Sequence, residues 1–126
     1  MSDPYRRQKL GSEIGKETAE ILRRDVRDPR LGLVSITKVD VSSDMRVAKI
    51  FVSVFGNDKK KRLSMSGLRH ATGFVQKELG RRIRLRVFPE ISFVLDESID
   101  KAFKITKIID DLARERQSKA PGAEEE

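Results

Sequence analysis

The side chains able to do chemistry are few. His70 is the only histidine and cysteine is absent, which excludes disulfides, thiolate metal sites and cysteine nucleophiles together. An imidazole set beside Arg69, with no carboxylate near it in the sequence, lacks the partner that would orient a general base, so contact with phosphate or solvent is its better reading. Three aspartates, Asp28, Asp44 and Asp96, could gather around Mg²⁺ as a nuclease site. Each sits at a turn or element end, however, where Asp ordinarily caps backbone groups. No Gly-x-x-x-x-Gly-Lys-Ser/Thr run occurs, which speaks against ATP or GTP hydrolysis. The expectation is a protein that is not an enzyme and has no cofactor or metal.

The remaining chemistry is positive charge. The chain carries a formal net charge of +7, and its distribution says more than its size. Between residues 59 and 88 stand Lys59, Lys60, Lys61, Arg62, Arg69, Lys77, Arg81, Arg82, Arg84 and Arg86 against one anion, Glu78. The rest of the chain is therefore slightly acidic. Either cationic run alone could be a solvated surface, but their concentration in one segment is the footprint expected of a nucleic-acid contact.

The elements that must position these residues follow from apolar spacing. With 126 residues, 37% of them charged and 6% aromatic, the chain has room for one domain built on Ile, Leu and Val. Asp3-Pro4 starts a helix that the spacing of Leu10, Ile14, Thr18, Ile21 and Leu22 carries to about Asp25. A strand from Leu33 to Val41 changes apolar parity between Ile36 and Val39, which predicts a bulge near Thr37 or Lys38. Ser42-Ser43-Asp44 turns the chain into a second strand, Val47 to Phe55, and residues 56–62 read as a polar loop. From Ser64 a helix carries Leu68, Ala71, Val75, Leu79 and Ile83 on one face, interrupted by Gly73 and Gly80. Pro89 precedes a third strand with Ile91, Phe93 and Leu95, and Ser98 caps a last helix bearing Ile99, Ala102, Phe103, Ile105, Ile109 and Leu112. This order gives an α+β fold, one three-stranded sheet covered by helices, without the alternating βαβ rhythm of nucleotide-binding sheets. The expected domain is residues 1–115, and residues 116–126 form a disordered tail. The longest apolar run, Ile50 to Phe55, falls far below the ~20 residues a membrane span requires. With no signal-like stretch at the N-terminus, a cytoplasmic location is expected.

With Leu68 at the centre of the apolar face of the second helix, His70, Gly73, Lys77, Arg81 and Arg84 fall opposite. A glycine in a helix interior costs roughly 1 kcal/mol relative to alanine. Either Gly73 ends one helix and begins the next, or it leaves a bare patch that a phosphate backbone can approach. Phe74 lies between the two faces, so stacking support is thin and phosphate and shape contacts should dominate.

Three blocks make the chain recognisable: Val26-Arg-Asp-Pro-Arg-Leu-Gly32, Val39-Asp-Val-Ser-Ser-Asp-Met-Arg-Val-Ala-Lys-Ile50 and Phe88-Pro-Glu-Ile-Ser-Phe93. From about Arg6 to Leu112 the chain resembles the ribosome-binding factor A family. The resemblance implies a type II K-homology-like domain in which an Ala-x-Gly kink between two helices replaces the usual Gly-x-x-Gly loop. Ala71-Thr72-Gly73 occupies that place, and no Gly-x-x-Gly occurs anywhere in the chain. It further implies binding to small-subunit ribosomal RNA late in maturation of the precursor subunit, and a part in cold adaptation. The implied partners are the immature small ribosomal subunit and assembly GTPases; the protein would act as a monomer, without membrane contact. The RNA-binding set is then Lys59, Lys60, Lys61, Arg62, Arg69, His70, Ala71, Gly73, Lys77, Arg81, Arg82 and Arg84. Two rivals remain, a Mg²⁺-dependent RNA-processing nuclease and a generic single-stranded nucleic-acid binder.

Overall fold

In the computed structural model, which describes residues 3–119, the Asp3 carboxylate closes the start of α1 (Pro4–Arg24) by accepting the Tyr5 N–H at 3.0 Å. Pro4 at the first helical position gives up an N–H that would have had no partner. Strands β1 (Val34–Val41) and β2 (Val47–Val54) pair antiparallel, and their register slips between Ile36 and Lys38. The bulge expected from the parity change is therefore present, and it lets Val34, Ile36, Val39 and Val41 share one face. The hairpin turn is built by Ser42 and Asp44. The Ser42 hydroxyl accepts the N–H groups of Arg46 and Val47, and the Asp44 carboxylate accepts that of Arg46.

Helix α2 (Asp58–Arg82) begins earlier than the sequence spacing suggests, because Asn57 caps it and accepts the Lys60 N–H at 2.9 Å. Residues 59–62, expected as a loop, form its first turns. The chain enters α2 through Gly56 at φ +131°, a backbone conformation open to glycine. Strand β3 (Glu90–Leu95) then pairs parallel with β2, giving the sheet order β1-β2-β3. The segment β2-α2-β3 is thus a single parallel crossover; the strand-helix-strand order was legible in the sequence, the parallel pairing was not. Gln76 fixes the entry to β3, donating to the Pro89 carbonyl at 2.7 Å and accepting the Ile91 N–H at 2.8 Å.

Helix α1 packs on β1 and α2 on β3. The core between them is apolar and closed: Ile14, Ile21, Ile50, Val52, Leu68, Val75 and Leu79 have no exposed surface. Glycine permits the close approach of α1 to the sheet, since a Cβ on Gly11 would lie 3.1 Å from the Val39 carbonyl oxygen. Across the opposite face of the sheet, Lys38, Asp40, Lys49 and Ser92 are exposed, and the Lys38 ammonium lies 4.6 Å from the Phe51 ring centroid.

The chain divides into two compact units between Asp96 and Glu97, earlier than the boundary after residue 115 read from the sequence. The second unit contains helix α3 (Ser98–Lys119), whose Phe103, Ile105, Ile109 and Leu112 are each more than half exposed. Helix continues through residues 116–119, where a disordered tail was expected; residues 120–126 of that tail lie outside the described residues. Among the described residues, no helix is long and apolar enough to cross a membrane.

Candidate nucleic-acid interface

A helix advances 100° per residue, so a cation's place on α2 is fixed by its number. Lys59, Arg62, His70, Gly73, Lys77 and Arg81 are exposed on the side opposite Leu68, and Arg69, 100° round from Leu68, is exposed at the edge of that side. At 1.5 Å per residue this face runs roughly 33 Å along the helix. Arg84 is exposed just beyond the helix end. Lys60 and Ala71 lie toward the flanks, and Lys61 is half-buried.

Arg82 is diverted from this surface. Its guanidinium lies 2.9 Å from Glu20, 3.2 Å from Glu17, 3.2 Å from Asp25 and 3.9 Å from Glu78, and its side chain is 27% exposed. The hydrogen bond to Glu17, followed by the charges of Glu20 and Asp25, raises its pKa above the usual arginine value. Arg82 thus clasps the end of α2 to α1, whereas Arg81, one residue earlier, makes a single 3.1 Å pair with Glu78 and stays 72% exposed.

The backbone at Ala71-Thr72-Gly73 is continuous α-helix, and Gly73 has no positive φ. Gly73 therefore does not end one helix and begin another. The Thr72 hydroxyl donates to the Leu68 carbonyl at 2.9 Å, the back-bonding that often bends a helix without breaking it. A Cβ placed on Gly73 would meet nothing within 4 Å. The result is a bare patch of helix backbone among cations, with Phe74 45% exposed beside it.

A second group supports this face, and the sequence reading missed it. The Asp28 carboxylate accepts the Arg30 N–H at 2.9 Å and two guanidinium N–H groups of the same residue, one at 2.6 Å. Arg30 extends to the Ser66 hydroxyl at 3.3 Å, and the Ser64 hydroxyl accepts the Gly32 N–H at 3.1 Å. A Cβ on Gly67 would lie 3.3 Å from both Asp28 and Leu31. The loop after α1 is thus docked on α2 within a turn of Arg69 and His70. The Arg30 side-chain hydrogen bonds, with that of its backbone N–H, hold the Asp28 carboxyl down to about 2. The detectable signal was the Asp-x-Arg spacing, which suits a local fork between carboxylate and guanidinium.

The three aspartates that could have formed a nuclease site serve separate local roles. Asp28 holds Arg30, Asp44 accepts from Ser42 and Arg46 in the hairpin turn, and Asp96 accepts the Thr37 hydroxyl at 2.6 Å. Hydrogen bonds from Ser42 and from the Arg46 N–H keep the Asp44 carboxyl below its usual range. Among the described residues no three His, Cys, Asp or Glu side chains could together hold a metal ion.

The chain can be compared with known proteins on this footing. The family model described as ribosome-binding factor A matches residues 6–109. A ribosome-binding factor A of Gloeobacter violaceus is 44% identical over 124 residues, covering 96% of each chain. The solution structure of a putative ribosome binding factor A from Thermotoga maritima superposes with a TM-score of 0.68 at 36% identity, over 78% of this chain and 93% of that one. A homology model of the Thermus thermophilus ribosome binding factor A, fitted into a cryo-EM map of a 30S complex of that protein, gives a TM-score of 0.60 at 25% identity. It covers 72% of this chain and 96% of its own.

Proposed function

Because the chain belongs to the ribosome-binding factor A family, we propose that it binds small-subunit ribosomal RNA through the outer face of α2 and assists late maturation of the precursor subunit and its rRNA. The observation that carries this reading is the alignment of Lys59, Arg62, Arg69, Lys77 and Arg81 along one exposed helix face around the bare Gly73. Cations in that array neutralise successive phosphates, and the open glycine lets an RNA backbone come close. The buried core beneath α2 and the Arg82 clasp keep the face rigid, so little ordering entropy is lost on docking. Lys60, Lys61 and Ala71 border the contact, while Arg82 supports it from behind.

No chemistry by the protein is required. A factor that binds one RNA arrangement more tightly than another shifts the population toward it by that difference in affinity. The partner is the immature small subunit in the cytoplasm, and release precedes translation. Assembly GTPases act on the same particle, and the need for the factor grows in the cold, where misfolded RNA is slower to rearrange.

Cosedimentation with immature and mature small subunits at two salt concentrations tests the proposal. Preferential, saturable binding to immature particles is expected. With about six phosphates contacted, log affinity against log salt falls with a slope of roughly −4 to −5. Equal binding to short oligonucleotides would favour the generic single-strand binder, and Mg²⁺-dependent cleavage of precursor RNA by the purified protein would favour the nuclease.

A further inference from the structure

The row of outward positions on α2 has a gap in its charge. Counting from Leu68 at 100° per residue, Ser66 points away from the core together with Arg62, His70, Gly73 and Lys77, yet its hydroxyl is neutral. Arg30 fills that gap from outside the helix. Its Nη1 donates to the Ser66 hydroxyl at 3.3 Å, which sets the guanidinium over the outer face. It stands one turn after Arg62 and one turn before His70, roughly 6 Å of helix axis from each.

Arg30 is anchored at main chain and side chain alike. The Leu31 N–H closes a turn on the Asp28 carbonyl at 3.0 Å, around a proline ring that fixes φ at residue 29. The Arg30 N–H donates to the Asp28 carboxylate at 2.9 Å, and its carbonyl accepts the hydroxyl of the buried Ser64 at 3.3 Å. On the guanidinium, Nε donates to Asp28 Oδ1 at 3.0 Å and Nη2 to Oδ2 at 2.6 Å. Arginine has five N–H donors. Asp28 takes one from Nε and one from Nη2 and Ser66 takes one from Nη1, so each terminal nitrogen keeps one N–H without a partner. Both lie on the side turned away from Asp28. The side chain is 37% exposed while the Asp28 carboxylate is tucked beneath it, so the free donors and not the carboxylate face outward. Paired N–H donors on a fixed plane suit the oxygens of one phosphate.

Resting on the RNA reading of α2 proposed above, we infer that Arg30 is a specificity-determining residue of that face. It grips one RNA phosphate between Arg62 and His70, with Asp28 and Ser66 as its positioning residues. Lys59 and Lys77 are flexible point charges that accept a phosphate anywhere within reach. Arg30 loses little rotamer freedom on binding and accepts only a phosphate in line with its free donors. The helix supplies attraction, and the loop supplies register.

The test is cosedimentation of the full chain with immature small subunits over a range of salt, with the melting temperature of each variant measured beside it. Arg30→Ala should weaken binding about tenfold. It should also make the slope of log affinity against log salt shallower by about 1, since one phosphate contact is lost. Arg30→Lys keeps the charge without the fork, so the slope should hold while affinity falls several-fold at a temperature where the variant is folded. Arg27→Ala removes the same charge from the same loop and should bind nearly as the wild type. Weaker binding of Arg30→Ala with an unchanged slope makes the residue a structural strut and overturns the inference. Wild-type binding by Arg30→Lys overturns it too, and decides the matter alone where Arg30→Ala does not fold. So does an Arg27→Ala defect as large as that of Arg30→Ala, which shows that only the charge of the loop is felt. Lys77→Ala separates the two readings. A slope made shallower by Lys77→Ala but not by Arg30→Ala leaves the α2 face standing without Arg30, whereas a flat wild-type dependence overturns both.

Discussion

Arg82 Nη1 stands 2.9 Å from Glu20 Oε1, tying the last turn of α2 to the C-terminal part of α1 across a long stretch of sequence. Exposed ion pairs are screened by solvent and contribute little one by one, so the network should stabilise the fold modestly. Arg82→Ala is expected to lower the melting temperature while RNA affinity changes little. Arg81→Ala with Arg84→Ala is expected to do the reverse, weakening binding without altering the melt. Calorimetry beside RNA titration decides the matter, and an Arg82→Ala protein that melts like the wild type but loses RNA would return Arg82 to the interface.

Thr18 offers a gain in stability. It is fully buried in α1 and its hydroxyl has no hydrogen-bond partner. An unsatisfied buried donor costs about 1–3 kcal/mol, and valine keeps the branched shape while removing it. Thr18→Val should therefore raise the urea midpoint by the equivalent of about 1 kcal/mol with the slope unchanged. A lower midpoint would mean that an ordered water satisfies the hydroxyl.

Local rules account for what could be read in advance. The bulge at Thr37 shows in the parity of Ile36 and Val39 because a two-residue period admits no other way to keep both inward. The start of α1 shows in Asp3-Pro4 for similarly local reasons. The start of α2 does not show, since residues 58–62 offer no apolar residue with a helical spacing and the cap alone, Asn57, decides it. Nor can a sequence separate Arg81 from Arg82. Adjacent residues on a helix point 100° apart, and only the fold brings Glu17, Glu20 and Asp25 under one of them. The docking of Arg30 on Ser66 and of Gly32 on Ser64 was hidden for the same reason.

The Asp28–Arg30 fork gives the fold an acid-labile tie. Asp28 is held to about 2, against a usual 3.8, by the hydrogen bonds from Arg30. A carboxyl depressed in the folded state contributes stability that is fully present above the unfolded value and lost as pH falls through the folded one. Between pH 4 and pH 2 the wild type should therefore lose stability more steeply than Asp28→Asn, whose amide does not titrate. Chemical denaturation at several pH values in that window checks this, and parallel acid limbs would remove Asp28 as a source of acid sensitivity.

Gly73→Ala separates the structural from the functional part of α2. The backbone there is helical, without positive φ, and the added methyl would meet nothing within 4 Å. The substitution should therefore stabilise the protein by about 0.5–1 kcal/mol, as alanine does for glycine in an exposed helix interior. The same methyl stands where the proposed RNA backbone approaches, so affinity for the immature particle should fall although no charge has changed. Gly80→Ala is the reference, because its Cβ is equally unobstructed and the site lies two turns further toward the helix end. It should give the same rise in melting temperature with a smaller loss of binding. Reduced stability of Gly73→Ala would show that this turn is not the regular helix described. Unchanged affinity beside the expected stabilisation would move the RNA contact away from the glycine, leaving the lysines and arginines to hold the phosphates from a greater distance.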